Sequence, residues 1–562
     1  MKYLLIGVNA KYSHSNLAIR SLLRNCNSKD VDIAEYTIND HKENVVADIF
    51  EKGADVLCFS CYIWNIEYVK DIVSVIRTVM PDGIIIAGGP EVSYDAREFL
   101  SQNTAFDAVM RGEGERVFAQ IVQNNACFND IANVVYKSAG VIIENRTDNS
   151  LSDFNELIFP YTKDDVQGLK NKIVYYESSR GCPYNCSYCL SSTIKGVRFR
   201  DIATVKKELD FFIDNNVELV KFVDRTFNAD KRRALEIWKY ASERAVNTRF
   251  HFEIAADILT DEMFDFLKTV PEGLFQFEIG IQSVNPDTLA AVDRYNNLDD
   301  ILKNVKRLVD MGNIHIHTDL IAGLPYEDLA SFKHSFNRVY ELRSHMLQLG
   351  FLKLLKGSKI RAEEAEHGYK YHNKATYEVL ENKYISYKDI LLLKGIESMT
   401  ESFYNSGAFK RSLEIAVGAF ESPFDFFEQL WYFYKLNGYN KRPVSKRELY
   451  YVLYDFCKNN NVSEKVYDNI KFDFIKNNRG AVFLKDGLAS ADKEFLKWRH
   501  SFLTEENIEK YIPQYAGWHA QDILKHIHFE RFKSGVCEND GECVVIFDYL
   551  HSKEIILHVQ TG

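Results

Sequence analysis

Two separate series of short apolar runs, most ending in small residues and each followed by about 10–15 residues of helical periodicity, constrain the fold more than any other feature. The first series comprises LLIGVNA (4–10), DVDIAEYT (30–37), ADVLCFSCY (54–62), GIIIAGGP (83–90) and AFDAVMRGEGE (105–115). Several of these runs are apolar throughout. A strand buried on both faces reads this way, and such strands belong to parallel sheets covered by helices. Residues 1–145 are therefore expected to form a doubly wound, Rossmann-like (flavodoxin-like) domain, followed by a linker over 146–168 with some strand character upstream.

The second series spans residues 169–360, where the strand–helix rhythm resumes around different motifs. Its strands are KIVYYES (172–178), LVKFVD (219–224), FHFEIAA (250–256), LFQFEIGI (274–281), IHIHTDLIA (314–322) and LQLGFLKL (347–354). Six strands with intervening helices fit a partial (βα)6 barrel of the TIM type, whose chemistry sits at the C-terminal strand ends. Residues 365–562 shift to Tyr, Phe, Lys and Asn with helical spacing and predict a mostly helical domain, closed by a hairpin at CVVIFDYLHSKEIILHV (543–559). The class is α/β overall, and 562 residues exceed what one core supports.

Charge and cysteine content narrow the partners. The 69 basic and 80 acidic residues give −11, which argues against a broad grip on nucleic acid. No apolar run reaches the roughly 18 residues of a membrane span, and MKYLLIGVNAKYSHS reads as a first strand rather than a signal peptide. A cytoplasmic protein is expected. Seven of the ten cysteines are scattered (Cys26, Cys58, Cys61, Cys127, Cys457, Cys537 and Cys543) and are expected mostly as reduced thiols.

The other three fall within SSRGCPYNCSYCLSS (178–192), where Cys182, Cys186 and Cys189 stand at C-x3-C-x2-C spacing after a strand. Three thiolates can hold three irons of a cubane and leave the fourth open, as a catalytic centre requires. A four-cysteine ferredoxin run has different spacing. Zinc, the competing reading, needs a fourth ligand that no nearby His or Cys supplies.

This loop, with Tyr188 before its last cysteine, resembles the signature of the radical S-adenosylmethionine superfamily. The resemblance implies a [4Fe–4S] cluster whose open iron chelates S-adenosylmethionine (SAM), and one electron then cleaves SAM to a 5′-deoxyadenosyl radical. KFVDRTFN (221–228) resembles the second-strand motif, placing Asp224 at the methionine amino group. FEIAADIL (252–259) resembles the third-strand pattern with Glu253 and Asp257, although Ala255 replaces its arginine. FEIGIQSVNPDTL (277–289) resembles the fourth-strand motif, placing Glu278, Gln282 and Ser283 near ribose and methionine. Arg294 is the candidate for the SAM carboxylate, which a guanidinium holds bidentately. DLIAGLPYED (319–328) resembles the stretch whose backbone packs on adenine. Taken singly, Glu278 reads equally as a half-buried charge and Arg294 as a surface arginine.

The first domain together with the barrel resembles the cobalamin-binding subfamily, with an uncharacterised helical domain behind it. That resemblance implies cobalamin between the two, near Ser60, Cys61, Gly88, Gly89, Pro90 and Glu113. The D-x-H-x-x-G motif that ligates cobalt is missing. His14, in KYSHSNLA, lacks the flanking Asp and Gly, so cobalamin without a histidine below the cobalt is expected. In the third domain, His526 and His528 could share a metal on a strand, with Trp518 and His519 upstream. The expected activity is anaerobic C-methylation of an unactivated carbon in a small-molecule or peptide substrate, with an external electron donor of the flavodoxin or ferredoxin type. The alternatives are a radical cyclase or rearrangement without methyl transfer, and a cluster-bearing electron-transfer or binding protein.

Overall fold

The computed structural model describes residues 1–148, 153–480, 482–483, 493–536 and 541–558. The chain divides into two units, Met1–Ser344 with Leu349–Ile390 and His345–Gln348 with Leu391–Gly562. Both series of strands lie chiefly in the first unit.

The first series forms β1 (Tyr3–Asn9), β2 (Val31–Thr37), β3 (Val56–Ser60), β4 (Ile84–Gly88) and β5 (Ala108–Met110), all parallel. Every residue of β1 is buried, because its side chains serve two cores in alternation. Leu4, Ile6 and Val8 enter one apolar cluster, and Tyr3 and Leu5 the other. Helices on both faces of a parallel sheet produce this arrangement. The stretch upstream of the expected linker adds β6 (Val134–Ser138) and β7 (Val141–Glu144) antiparallel at the edge, giving the order β2-β1-β3-β4-β5-β6-β7.

The second series forms β8 (Val174–Tyr176), β11 (Leu219–Phe222), β12 (Arg249–Glu253), β13 (Phe275–Gln282), β14 (His315–Ala322) and β15 (Met346–Phe351), with the antiparallel pair β9 (Ser179–Cys182) and β10 (Gly196–Phe199) inserted after β8. Their order, β8-β11-β12-β13-β14-β15, is sequential, as a barrel wall requires. Here only one face is packed. Phe222, Phe250, Phe252, Phe275 and Phe277 are fully buried, and Phe252 and Phe277 contact Trp238 of the helix Lys231–Arg244. Each buried ring is worth about 1.5–3 kcal/mol. Asp230 starts that helix by accepting from the Arg233 amide. The opposite face carries Lys221, His251, Glu278 and His317, which touch or neighbour one another across four strands. A short antiparallel pair, β16 (Lys370–Tyr371) and β17 (Val379–Glu381), follows.

The second unit is mostly helical, as its spacing predicts. The expected hairpin is β19 (Cys543–Asp548) with β20 (Lys553–His558), and β18 (Ile527–Phe532) adds a third antiparallel strand. The last part of the 543–559 reading, residue 559, lies outside the described residues. Ile512, Tyr515, Ile523, Phe529 and Ile546 form the core beneath this sheet. His528 sits on β18 but turns to Glu530, 3.0 Å away, rather than to His526. Cys543 is disulfide-bonded, an exception among the scattered cysteines expected mostly as reduced thiols, and Cys537 lies outside the described residues. Among the described residues no helix is long and apolar enough to cross a membrane.

Candidate functional site

The three clustered cysteines sit on the β9–β10 hairpin. Cys182 ends β9, and Cys186 and Cys189 lie in the connection to β10. Gly181 makes this crossing possible: its φ is +104°, and a Cβ there would lie 2.1 Å from the Gly196 carbonyl oxygen. Val292 accepts from the Ser187 amide and Cys186 from the Cys189 amide, fixing the loop's path. Cys182 Sγ lies 3.5 Å from Thr226 Oγ1, and Arg294 Nη1 donates to Cys186 Sγ at 3.6 Å. Burial raises the Cys182 thiol pKa, and the neighbouring Cys189 and Cys186 thiols add to the rise. Among the described residues no three His, Cys, Asp or Glu side chains crowd one metal ion. A cubane spreads its thiolates around four irons and does not need that crowding.

Beside the cysteines lies a group of buried polar atoms without partners. Arg294 donates to the Gly280 carbonyl, and the far end of the Gln282 side chain lies over Gly280, where a Cβ would meet Nε2 at 2.0 Å. Around this point Gln282 Oε1, Arg294 Nε and Asp319 Oδ1 have no hydrogen bond. Asp257 Oδ1 and Asn296 Oδ1 are likewise unpartnered, although Asn296 Nδ2 donates to Asp257 Oδ2 at 2.9 Å. Buried polar atoms are rarely left so. Five in one neighbourhood fit a ligand with charged and hydroxyl groups, which describes SAM. Asp319 is register-paired with Gly280. Neither it nor Asn296 was singled out from sequence, although Asp319 opens the quoted DLIAGLPYED.

The other sequence candidates are engaged by the protein itself. Asp224 accepts from the Ser178 amide (2.9 Å), Ser178 Oγ (2.7 Å) and Ser179 Oγ (2.6 Å), so it braces the strand end, and burial lifts its pKa to about 6. Ser283 Oγ donates to Glu327. Burial opposes ionisation of Glu278, but the His251 hydrogen bond and the Lys221 ammonium outweigh it and hold the carboxyl at about 2. Glu253, register-paired with Glu278, is pushed up to about 7 by burial. Tyr188 is raised by burial and flanks Cys186.

A cavity of about 1480 Å³ opens between the first sheet and the barrel. Small-ligand pockets hold roughly 300–1,000 Å³, so this one suits a larger guest such as a corrin with its side chains. Ser60, Gly88, Gly89, Pro90 and Glu113 form part of its wall, facing Tyr175, Val223 and Arg225 of the barrel and Gly181 and Leu190 of the cysteine hairpin. Cys61 is fully buried and off the wall. Gly89 has φ +108°, and a Cβ there would meet the Cys61 carbonyl at 2.5 Å. That glycine is therefore demanded by the protein's own backbone, a reason the sequence reading did not contain. His14 lines the cavity with Nδ1 2.6 Å from Tyr175 Oη, and burial lowers its pKa, favouring the neutral ring.

Glu113 is occupied. It pairs with Arg198 and lies 3.5 Å from Arg180, while Arg180 also reaches Glu115 (2.9 Å) and Glu177 (2.7 Å). Arg180 and Arg198 face each other directly across β9 and β10, a repulsive placement without those carboxylates. The turn RGEGE of the first domain thus clasps the hairpin that bears the cysteines.

Three family models match the chain: a B12 binding domain over residues 3–122, the radical SAM superfamily over 176–339, and a protein of unknown function (DUF4080) over 365–547. The 2-(S-pantetheinyl)-carbapenam-3-carboxylate methyltransferase of Streptantibioticus cattleyicolor is 26% identical over 312 residues, covering 52% of this chain and 45% of that protein. The cobalamin-dependent radical SAM methyltransferase TokK of Streptomyces tokunonensis is 27% identical over 326 residues, covering 53% and 47%. The chain thus spans about half the length of these curated relatives. The solved structure of the cobalamin-dependent S-adenosylmethionine radical enzyme OxsB with aqua-cobalamin superposes with a TM-score of 0.59 at 14% identity, covering 84% of this chain and 79% of that one. At that identity the likeness establishes the fold.

Proposed function

Since the chain belongs to the cobalamin-binding radical S-adenosylmethionine enzymes, we propose that it transfers a methyl group to an unactivated carbon of its substrate. One observation carries the reading: the cysteine hairpin and the glycine-edged first sheet line one cavity, and the unpartnered polar group around Gly280 meets the same cysteine loop through Arg294, which donates to Cys186 Sγ. When bound, the [4Fe–4S] cluster supplies the electron that cleaves SAM, and cobalamin supplies the methyl group. Cys182, Cys186 and Cys189 hold the cluster. Arg294 takes the SAM carboxylate, while Gln282, Asp257, Asn296 and Asp319 receive its remaining polar groups. Asp224 keeps the strand end rigid beneath the cluster loop. Ser60, Gly88, Gly89 and Pro90 would support cobalamin, and His14, which lacks the flanking Asp and Gly of the cobalt-ligating motif, is assigned to holding Tyr175 through Nδ1. The clasp of Glu113 and Glu115 on Arg198 and Arg180 sets the cluster hairpin against the cobalamin domain. We further assign the protein to the cytoplasm, with an external one-electron donor of the flavodoxin or ferredoxin type.

The test uses anaerobically reconstituted full-length protein with SAM, hydroxocobalamin and a low-potential reductant. Release of 5′-deoxyadenosine together with S-adenosylhomocysteine supports methyl transfer. Release of 5′-deoxyadenosine alone, with full cobalamin occupancy and turnover, transfers the reading to a cyclase or rearrangement. Absence of 5′-deoxyadenosine from protein carrying the cluster refutes the radical reading.

A further inference from the structure

Residues 352–385 follow the last barrel strand and lie beyond both cofactor-domain matches, and the match of unknown function begins within them, at residue 365. They belong to the first unit nonetheless, and they carry the β16–β17 pair. Their bonds fall on residues that border the cofactor sites. Lys356 Nζ lies 2.8 Å from Asp95 Oδ2 and 3.4 Å from Glu91 Oε1, and Tyr377 Oη donates to the same Glu91 carboxylate. Glu91 is only 4% exposed and directly follows the Gly89–Pro90 edge of the cavity. Gly357 takes φ +82°, and a Cβ there would fall 2.2 Å from the Tyr94 ring, so a bare backbone lets that ring pack. Tyr94 Oη in turn lies 3.0 Å from Thr193 Oγ1, and both residues line the cavity. The Ile360 amide donates at 3.0 Å to the carbonyl of Ser187, which stands between Cys186 and Cys189. The exposed Lys359 reaches Asp293, next to Arg294, at 2.6 Å. At the far end, Tyr369 Oη (3.1 Å) and Asn382 Nδ2 (2.9 Å) both donate to the Gly323 carbonyl. Gly323 directly follows β14, the strand that bears Asp319.

Resting on the reading of a cobalamin-binding radical enzyme, we propose that this segment is a brace. It fixes the cobalamin edge, the cluster loop and the SAM strand end relative to one another, with Lys356 and Tyr377 as its positioning residues. One stretch of chain holds all three, so a shift of any one strains the bonds to the other two. Glu91 is the joint at the cobalamin edge. A buried carboxylate stays where its donors hold it, because leaving it unpaired costs its full desolvation. Tyr377 is itself fixed: its φ of +57° is uncommon for an aromatic residue, and its carbonyl accepts from the Leu354 amide. Ala375, two residues earlier, packs against the core of the first sheet. The clasp joins the first domain to the hairpin through Glu113 and Glu115, past β5, whereas the brace joins them through Glu91 and Tyr94, past β4. Two separate attachments remove the rotation that a single one would allow. Chemistry divided between two cofactors needs this, since a misplacement of about 1 Å can cost on the order of a hundredfold in rate.

Two measurements on the anaerobically purified full chain decide the matter. The first is amide hydrogen exchange, which reports local opening. Tyr377→Phe is expected to speed exchange about tenfold at Glu91 and Val92 and, through the brace, at Ser187 and Cys189, the consequence of losing one hydrogen bond to a buried carboxylate. The amides of β1 and β13 should keep their protection. A rise confined to Glu91 and Val92, an equal rise throughout β1 and β13, or no rise at all overturns the proposal. The second measurement is the dissociation constant of hydroxocobalamin. Lys356→Met should raise it about tenfold, and Lys356→Arg, which keeps a cation between Glu91 and Asp95, should restore most of the loss. Unchanged affinity in Lys356→Met, or an equal loss in Lys356→Arg and Lys356→Met, overturns the positioning role. If the wild type binds no cobalamin, the functional reading above fails, and the exchange experiment still decides whether the brace ties the first domain to the cluster loop.

Discussion

The first sheet and the barrel sheet use the same parallel strand–helix architecture, yet they treat their two faces in opposite ways. In β1 all seven residues are buried, and alternate side chains enter two apolar cores. In β13 burial alternates strictly, with Phe275, Phe277, Ile279 and Ile281 packed and Gln276, Glu278, Gly280 and Gln282 facing the lumen. A sheet sandwiched between helix layers has no face free for chemistry, so its ligand gathers at the strand ends, where Gly88 and Gly89 lie. A sheet curled into a partial barrel has helices on one face only, and the other can bind. Polarity on that second face marks function rather than a packing fault.

The contrast breaks most visibly if a charge is placed where both faces are packed. Ile6→Asp buries an unpaired carboxylate in the first core and is expected to cost more than about 4 kcal/mol, measured by denaturant unfolding. A loss below 1 kcal/mol would show that the first sheet is as tolerant as the barrel lumen.

Next in size is the clasp between the two regions. Arg180→Met leaves Glu115, only 8% exposed, and Glu177 unpaired, with an expected cost of about 2–3 kcal/mol after allowing for partial solvation. Because the clasp holds the cluster hairpin, the cluster's electron paramagnetic resonance spectrum should also change, and Arg180→Lys should restore part of it. Loss of stability with an unaltered spectrum would reduce the clasp to scaffolding.

On the lumen side, Glu278 is held at about 2 against an ordinary value of 4.5. A depressed carboxyl stabilises the fold above its unfolded pKa, and that contribution disappears as pH falls from about 4.5 toward 2. The wild type should therefore lose on the order of 2–3 kcal/mol over that window that Glu278→Gln does not lose. Parallel acid unfolding curves for the two proteins would contradict the Lys221–Glu278 pairing.

Arg294→Ala tests the chemistry at the rim of the same lumen. It should weaken SAM binding by roughly 1.5–3 kcal/mol, the range for hydrogen bonds to charged groups, while iron content stays at one cluster. Unchanged affinity, measured by equilibrium binding under anaerobic conditions, would remove Arg294 from the carboxylate site.

The smallest effect belongs to the inner wall itself. Burial, then His315 and His251, depress His317 to about 3, so it is neutral at physiological pH and carries no ion pair to lose. His317→Leu should change stability by less than about 1 kcal/mol, read from the thermal midpoint. A large loss would show that the lumen face is part of the core, and the contrast between the sheets would fail.

The amino-acid sequence by itself determined the two parallel layers and the cysteine loop. Continuous runs such as LLIGVNA and alternating runs such as FHFEIAA and IHIHTDLIA already distinguish a sheet covered twice from one covered once, because side chains alternate faces with a period of two residues. The spacing of Cys182, Cys186 and Cys189 is equally local. The antiparallel strands β6 and β7 at the first sheet's edge and β18 beside the last hairpin were less legible, since edge pairing depends on what lies alongside. Which polar residues act and which merely brace was decided only by tertiary structure. Asp224, Ser283 and Glu113 have the right chemistry in the right order, but neighbours remote in sequence consume them: Ser178 and Ser179 for Asp224, Glu327 for Ser283, Arg198 and Arg180 for Glu113. Asp319 and Asn296, which carry no motif of their own weight, emerge as atoms left without partners. Hydrogen-bond satisfaction is a property of three-dimensional neighbourhoods, and strand pattern and residue spacing specify only the local half of each.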